Sequence, residues 1–226
     1  MARGRALTYD SQREHILAQA AALFARQGYS GTSMNQVAQA CGVSKAALYH
    51  YVRDKQQLVA AIAAVHVARL EAVVAEVAAQ RLAPQAHLRQ LILRFAEEYA
   101  GAQNAHRVLT EDVRFLSPEE QAPVLASERR VVAAFALAVA AVRPGVGAID
   151  KPLAMLLFGM INWMFTWLKP GGALTHADMA PVVCDLFFGG LGAVQLPNPP
   201  RRARSAGATR RPVPPPHSPT AKETTR

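Results

Sequence analysis

Hydrophobic residues near the start of the chain recur with the period of an α-helix, and polar residues or glycines separate the runs. The first apolar stripe has amphipathic helical spacing and consists of Ile16, Leu17, Ala20, Leu23 and Phe24. Gly28 and Gly31 bracket the turn that is predicted to end this helix. The pattern predicts a compact three-helix unit over residues 9–55, whose last two helices form a helix-turn-helix.

Capping residues mark where the later helices of this unit begin. Ser33 with Gln36 and Asp54 with Gln57 have the spacing of a capping box, in which side chains satisfy the free amides of a helix start. Gly42 can adopt the left-handed backbone conformation that ends a helix. These signals predict one helix that stops at Gly42 and a long one that opens at Asp54.

A short helix between them is predicted to be capped by Ser44. Leu48 and Val52 lie four residues apart and are expected to face the core, which turns Lys45 and Tyr49 toward solvent. The first turn after Ser44 carries little bulk, so another surface can approach it closely. Such a helix suits insertion into the major groove of duplex DNA.

The remainder of the chain is predicted to be helical as well. Apolar residues recur with helical period, and the hairpin dipeptides Asn-Gly and Asp-Gly do not occur in the sequence. Helices are predicted over residues 54–81, 87–103, 106–116, 118–142, 150–168 and 175–191. We therefore expect an all-α protein of about nine helices, with the helix-turn-helix domain first and a larger helical domain after it.

Charge is unevenly distributed along the chain. Residues 1–55 carry seven Lys or Arg against three Asp or Glu, whereas residues 56–196 carry eleven against twelve. Residues 197–226 carry seven against one and include eight prolines, which predicts disorder. A basic N-terminal unit is typical of a duplex-DNA binder. The basic tail either adds non-specific attraction to DNA or is simply solvated.

These patterns divide the chain into four parts. They are a flexible N-terminal arm over residues 1–8, a helix-turn-helix domain over 9–55, a helical domain over 56–193 and a disordered basic tail over 194–226.

Cysteine usage and hydropathy favour a cytoplasmic protein. Cys41 and Cys184 have no metal-ligand spacing around them, which predicts two reduced, buried thiols and no metal site. The N-terminus lacks the apolar segment of a signal peptide. The uncharged run over 152–168 is shorter than the ~20 residues needed to span a bilayer, so we expect no membrane association. No cofactor is predicted.

The chain resembles the TetR-type (tetracycline-repressor-like) regulators. The matching N-terminal residues are Ala22-Leu23-Phe24, Gly28-Tyr29, Thr32-Ser33, Val37-Ala38, Gly42-Val43-Ser44, Leu48-Tyr49-His50-Tyr51 and Lys55. The looser C-terminal match comprises Phe158-Gly159-Met160-Ile161-Asn162-Trp163, Trp167, Lys169-Pro170, Leu174 and Asp185-Leu186-Phe187. The resemblance implies that residues 56–193 form a ligand-binding and dimerisation domain, with a homodimer formed through residues 152–168 and 176–191.

Candidate DNA contacts lie on the exposed side of the predicted helix-turn-helix. The set combines groups suited to base edges with groups suited to phosphates: Thr32, Ser33, Ser44, Lys45, Ala46, Tyr49, His50, Tyr51 and Lys55. Alternatives stay open, since Ser33 can be only a cap, His50 only solvated, and either tyrosine half-buried packing. Arg3 and Arg5 form either a minor-groove arm or a frayed terminus.

Candidate effector contacts in the second domain combine aromatic walls with a few polar anchors. They are Phe95, Tyr99, Arg107, Phe115, Asn162, Trp163 and Phe165. The alternative is that the aromatic residues are plain core and that Arg107 belongs to a solvated ion-pair face. Several regulators with a similar Asn-Trp-x-x-x-Trp helix respond to acyl-coenzyme A esters, so the resemblance implies an acyl-coenzyme A or aromatic-acid-derived effector. Glu97, Glu98, Glu111 and Asp112 leave a cationic effector open.

The predicted function is a dimeric repressor that binds a palindromic operator in double-stranded DNA and is released by a small molecule, and the chain is not expected to be an enzyme. A helical-bundle enzyme would need a catalytic pattern such as Glu-x-x-His or a Gly-rich phosphate loop, and the sequence contains neither. An architectural DNA-binding protein without an effector would have little or no cavity between residues 80 and 190, and a basic face beyond the N-terminal unit.

Overall fold

The computed structural model describes residues 2–145, 147–169 and 171–194, with the backbone alone for residues 2–8. The α-helices of this part of the chain are α1 (Ala2–Gly31), α2 (Met34–Ala40), α3 (Lys45–Tyr49), α4 (Lys55–Ala79), α5 (Pro84–Gly101), α6 (Gln103–Arg107), α7 (Pro118–Val142), α8 (Asp150–Asn162), α9 (Met164–Trp167) and α10 (His176–Leu191). Val108–Asp112 is a π-helical turn, and Val113–Phe115 and Gly147–Ile149 are 3₁₀ turns. These residues contain no strand, so the all-α fold is confirmed.

Helix α1 is longer than the apolar stripe on it. Its backbone begins at Ala2, in place of the flexible arm predicted for residues 1–8. The helical conformation is interrupted at Gly28, where φ is 77° and ψ is 165°, and this interruption redirects the chain toward α2. The side chains of Arg3 and Arg5, and residues 195–226 of the predicted tail, lie outside the described residues.

The predicted caps of the helix-turn-helix are present. Ser33 Oγ accepts from the Gln36 amide at 3.3 Å, and Gln36 Oε1 accepts from the Ser33 amide at 2.8 Å. Ser44 caps α3, and Asp54 Oδ1 caps α4 by accepting from the Gln57 amide at 2.7 Å. The Gln57 side chain accepts from the Arg53 amide and not from that of Asp54, so the second half of the predicted capping box is shifted by one residue. Such caps are typically worth about 1 kcal/mol each, so short helices with little core of their own are held at defined ends.

Gly42 closes α2 in the left-handed conformation that the sequence predicts. Its φ is 67°, its amide donates to the Gln39 carbonyl, and the Val43 amide donates to the Ala38 carbonyl at 3.0 Å. An added Cβ at Gly42 would meet no atom within 4 Å. Glycine is therefore required by backbone conformation and not by space.

Two hydrophobic clusters make up the interior. The head cluster contains the buried residues of α1, α2 and α3, the first half of α4, and Val108, Leu109, Val113, Leu116 and Val124. The body cluster contains the second half of α4, the buried residues of α5, α8 and α10, and those of α7 from Val131 onward. The change from one cluster to the other falls between Val67 and Leu70, inside α4, whereas the sequence pattern predicts a domain boundary at residue 55.

Helix α4 serves both clusters, and nine of its side chains are buried. It is the one helix in the described ranges that is long and apolar enough to cross a membrane, with a mean hydropathy of 1.9 over 18 residues. Because those buried side chains pack against α1, α5 and α7, the interior of the protein accounts for its apolar character.

Two predicted helices are interrupted. The segment predicted as one helix over 106–116 consists of the end of α6, the π turn and a 3₁₀ turn, and the Thr110 hydroxyl donates to the His106 carbonyl at 3.0 Å. Such a side-chain bond competes with the backbone ladder. The helix predicted over 150–168 breaks at Trp163, where the Thr166 amide donates to the Trp163 carbonyl three residues back at 3.1 Å.

Candidate DNA-binding surface and ligand cavity

Helix α3 presents one face to the core and another to solvent. Leu48 is fully buried, whereas Tyr49 is 45% exposed and Lys45, Ala46 and His50 are also exposed. Ser44 Oγ accepts from the Ala47 amide at 3.1 Å and fixes the start of the helix. The local fold therefore offers a short, cap-fixed helix whose outer face carries an ammonium, a phenol and a small apolar side chain.

The two predicted contacts at the start of α2 differ in accessibility. Thr32 is 2% exposed, and its hydroxyl donates to the Gly28 carbonyl at 2.9 Å and accepts from Gln27 Nε2 at 3.2 Å. Ser33 is exposed, with its hydroxyl engaged in the capping box. Thr32 thus closes the turn at Gly28, and its hydroxyl points into the protein.

Lys55 is turned toward the protein as well. Its Nζ donates to the Tyr29 carbonyl at 2.8 Å and to the Thr32 carbonyl at 2.9 Å, and lies 4.1 Å from the centre of the Tyr29 ring. These contacts bind the start of α4 to the turn that precedes α2. Charge-assisted bonds of this kind are stronger than neutral ones, so Lys55 fixes the relative position of the helices.

Tyr51 is half-buried and stacks on Tyr9, with ring centres 4.8 Å apart and planes 22° from parallel. The stack joins the end of the helix-turn-helix to α1. Tyr49, on the outer face of α3, has no such aromatic partner within the described part of the chain.

A cavity of about 380 Å³ lies between α4, α5, α7, α8 and the segment around the π turn. Of the predicted effector contacts, Tyr99 and Asn162 line it. Its lining includes the buried Tyr99 and His106. The exposed Arg129 and Lys151 mark its mouth.

The structure separates the other predicted effector contacts from this cavity. Phe95 is fully buried between Phe135 and Phe158 in the body cluster. Phe115 stacks on Tyr29 at 4.8 Å, beside the helix-turn-helix.

The remaining three face other surfaces. Arg107 and Phe165 line a second cavity, of about 390 Å³, against α1. Trp163 is 66% exposed on the outer side of α8. Aromatic residues at helical spacing look alike in sequence whether they face a cavity, a core or solvent.

His106 and Glu128 are lining residues that the sequence analysis missed. His66 Nε2 and His106 Nδ1 are 3.3 Å apart, and the Tyr99 ring stacks on His106 with centres 3.9 Å apart. Burial lowers the pKa of His66 to about 4 and that of His106 to about 3, while it raises the pKa of Glu128. No motif marks these residues, because they come from three helices far apart in sequence.

The segment over 103–116 connects the cavity to the helix-turn-helix. His106, Leu109 and Thr110 line the cavity, while Leu109 and its neighbours in the π and 3₁₀ turns belong to the head cluster. Arg107 Nη1 donates to the Ala25 carbonyl at 3.0 Å, and Gln56 Nε2 donates to the Phe115 carbonyl at 3.0 Å. The segment that forms part of the cavity wall therefore contacts α1 and α4 directly, so a shift of this segment would move both helices.

An apolar face runs along α8, α9 and α10 on the outside of the body. Its exposed large side chains are Leu156, Trp163, Trp167, Val182 and Leu186. Trp163, Trp167, Val182 and Leu186 line one shallow groove, so the helices present a common surface. Contiguous exposed apolar side chains of this kind are typical of protein interfaces.

Comparison with known proteins identifies the family. Residues 16–62 match the model of the bacterial regulatory proteins of the tetR family, and residues 81–191 match that of the tetracyclin repressor-like C-terminal domain. A TetR-family transcriptional regulator from Bordetella parapertussis 12822 is 32% identical, with a TM-score of 0.75 over 81% of this chain and 97% of that one. The chain belongs to the TetR family.

Other TetR-family relatives cover most of the chain. The transcriptional repressor KstR2 of Rhodococcus jostii RHA1 is 26% identical over 80% of this chain and 92% of its own length. AibR, solved in complex with isovaleryl coenzyme A and operator DNA, is 27% identical, with a TM-score of 0.69 over 77% of this chain and 97% of that chain. This TetR-family chain thus has the helix-turn-helix and the C-terminal domain of a transcriptional regulator. Within the described ranges, no group of three or more His, Cys, Asp or Glu is placed to hold a metal ion.

Proposed function

We propose that the protein is a homodimeric, ligand-responsive repressor that binds an inverted-repeat operator through α3 and leaves it when a small molecule fills the 380 Å³ cavity. The observation that carries the proposal is that the segment over 103–116 both lines the cavity and packs in the head cluster. In a dimer, the distance between the two helix-turn-helix domains would differ between the DNA-bound and the released state. A ligand can release DNA only if it binds these two states with different affinity.

The outer face of α3 supports the DNA-binding part. Lys45 can donate to guanine in the major groove, Ala46 allows close approach, and the Tyr49 hydroxyl suits a phosphate oxygen. The exposed Ser33 and Ser44 lie at the two helix starts beside this face and are proposed as backbone contacts. His50 is proposed as a phosphate contact at the end of α3.

The apolar face on α8, α9 and α10 supports the dimer. Two copies joined along it would form an intermolecular bundle, and two recognition helices meet successive major grooves when about 34–36 Å apart. Replacing Leu186 by arginine should give monomers by light scattering, whereas arginine at the equally exposed Leu137 on α7 should leave the dimer intact. A dimer that survives Leu186→Arg removes this interface from the proposal.

The cavity argues against an architectural role without an effector, and the near-neutral charge of residues 56–196 points the same way. The basic mouth, with Arg129 and Lys151, is compatible with an acyl-coenzyme A or aromatic-acid-derived effector. AibR was solved with such a thioester. A thermal-shift screen of acyl-coenzyme A esters and aromatic acids, with release of DNA as a second readout, tests the effector.

The operator is tested separately. From a pool of duplexes with randomised inverted repeats, the purified protein should enrich particular sequences. Fluorescence anisotropy should then show tighter binding to an enriched duplex than to a scrambled one. Affinity should fall steeply with salt because several phosphates are neutralised. Equal affinity for scrambled DNA would count against a sequence-specific repressor.

A further inference from the structure

Among the described residues, one acidic side chain lines the 380 Å³ cavity, and it is Glu128 on α7. The carboxylates that leave a cationic effector open in the sequence lie elsewhere. Glu97, Glu98 and Glu111 each form an ion pair with an arginine, at 3.2, 3.4 and 3.7 Å. Asp112 is buried in the π turn. Glu128 is therefore the carboxylate that a molecule in the cavity would meet.

The described chain provides no partner for the Glu128 carboxylate. Burial alone raises the pKa of Glu128, so no hydrogen-bond donor or cation of these residues lies close enough to offset it. The next cation but one on α7, Arg130, is held by Glu71 at 2.6 Å. Arg129 is exposed at the mouth, and successive residues of a helix do not face each other.

A ligand in the cavity can reach this carboxylate. Glu128 is half-buried, and its oxygens are neither paired nor fully buried, in contrast to Nε2 of His106 and Oδ1 of Asn162. Burial and then the charge of Glu128 raise the pKa of Tyr99, which places the carboxylate near the part of the wall that Tyr99 forms.

The rest of the wall does little to stabilise a negative charge. Leu70, Val131 and Phe158 contribute hydrocarbon to it. An ionised carboxylate in apolar surroundings is costly unless a positive charge and hydrogen-bond donors compensate for its lost hydration. A protonated amine supplies a charge and three donors, whereas a hydroxyl group supplies one donor and no charge.

We infer that the effector carries a positively charged amino group on a mainly hydrocarbon body, and that this amino group pairs with Glu128 inside the cavity. This assignment rests on the proposed function, because it takes the cavity as the effector site. An anionic part of the same molecule would lie at the mouth, near the exposed Arg129 and Lys151.

Three eight-carbon probes test the inference by calorimetry on the full chain without DNA at neutral pH. They are octylamine, which is protonated, the neutral 1-octanol and the anionic octanoate. We expect octylamine to bind at least about ten-fold more tightly than 1-octanol, the size of one charge-assisted hydrogen bond. Octanoate should show no such gain over 1-octanol.

Variants locate the preference. Glu128→Gln keeps the size of the side chain and removes its charge, so the ratio of octylamine to 1-octanol affinity should fall about ten-fold. Glu128→Leu also removes the acceptor oxygens and should lower the ratio as well, which provides a second test. Glu97→Gln is the matched control, because the side chain of Glu97 is 77% exposed outside this cavity. It changes the net charge equally and should leave the ratio unchanged.

Several results would overturn the inference. They are equal affinity for octylamine and 1-octanol, a preference that survives both Glu128 variants, an equal loss of preference in Glu97→Gln, and the absence of binding by all three probes. DNA binding is not part of this assay. A protein that selects an inverted repeat but shows no preference for octylamine would retain the proposed function and lose only this inference. A protein that prefers octylamine but selects no inverted repeat would lose the proposed function and retain the amine site.

Discussion

The recognition surface and the cavity satisfy their polar groups in opposite ways. At the helix-turn-helix, Ser44 caps α3 and Lys55 binds two carbonyls, while Tyr49 on the outer face is exposed to water. In the cavity, His106 Nε2 and Asn162 Oδ1 are buried and unpaired within the described chain. The polar groups that shape the first site are paired within the protein, whereas the second leaves two buried polar atoms without a partner among the described residues.

The largest expected effect on stability distinguishes an aromatic residue of the core, Phe95, from one that lines the cavity, Tyr99. Phe95→Ala should destabilise the protein by about 3–5 kcal/mol, because it empties the centre of the body cluster. Tyr99→Phe, which keeps the ring at the cavity wall, should cost far less. Urea unfolding of both variants measures this, and similar losses would mean that Phe95 is not core.

Acid should destabilise the protein through its two buried histidines, His66 and His106. The pKa of His66 and of His106 is depressed by burial from the ordinary 6.5 to about 4 and about 3, so the unfolded chain binds protons that the folded one does not. Stability from the two histidines is complete above pH 6.5 and lost as pH falls below it, by about 1.4 kcal/mol for each at pH 5.5.

Denaturant unfolding between pH 7.5 and 5.5 measures this loss. The double variant His66→Phe with His106→Phe should flatten the profile, and an unchanged slope would show that other groups cause it. His50, which is exposed on the head, provides the control substitution.

Two lysines of the recognition unit should behave differently. Lys55→Met should lower the free energy of unfolding by about 2–3 kcal/mol, because the partly buried carbonyls of Tyr29 and Thr32 lose a charged donor. Lys45→Met should leave stability within about 0.5 kcal/mol, because Lys45 is exposed. Thermal unfolding decides, and equal effects would contradict the assignment of Lys55 as a structural residue.

DNA affinity should follow the outer face of α3. Lys45→Ala or Tyr49→Ala should weaken operator binding by about 1–3 kcal/mol without unfolding the protein. Fluorescence anisotropy at fixed salt measures the change, with Ala substituted at the distant, exposed Leu137 as the control. Unchanged affinity in both variants would remove α3 as the reading helix.

The smallest effect has the opposite sign. Asn162→Leu removes an unpaired buried oxygen and should raise the melting temperature of the ligand-free protein by about 2–4 °C, the equivalent of about 1 kcal/mol in a chain of this size. An asparagine with a purely structural role would give a fall instead. The matched Asn104→Leu variant should melt within a degree of the parent.

Local sequence signals predicted the helix-turn-helix in detail, because its structure depends on residues that are close in sequence. The capping box at Ser33, the left-handed Gly42 and the inward Leu48 follow from side-chain chemistry within one turn of helix. The break at Trp163 and the π turn at Val108–Asp112 did not follow, since both depend on how the segment packs.

The sequence by itself therefore determined the all-α class, the helix-turn-helix and the exposed face of α3, all of which rest on contacts a few residues apart. Only the tertiary structure decided that Lys55 faces inward and that Phe95 is core. It also decided that His106 and Asn162 line one cavity and that His66 contacts His106. Helical periodicity indicates which side of a helix is apolar, but the neighbour that covers that side is selected by packing between helices up to a hundred residues apart.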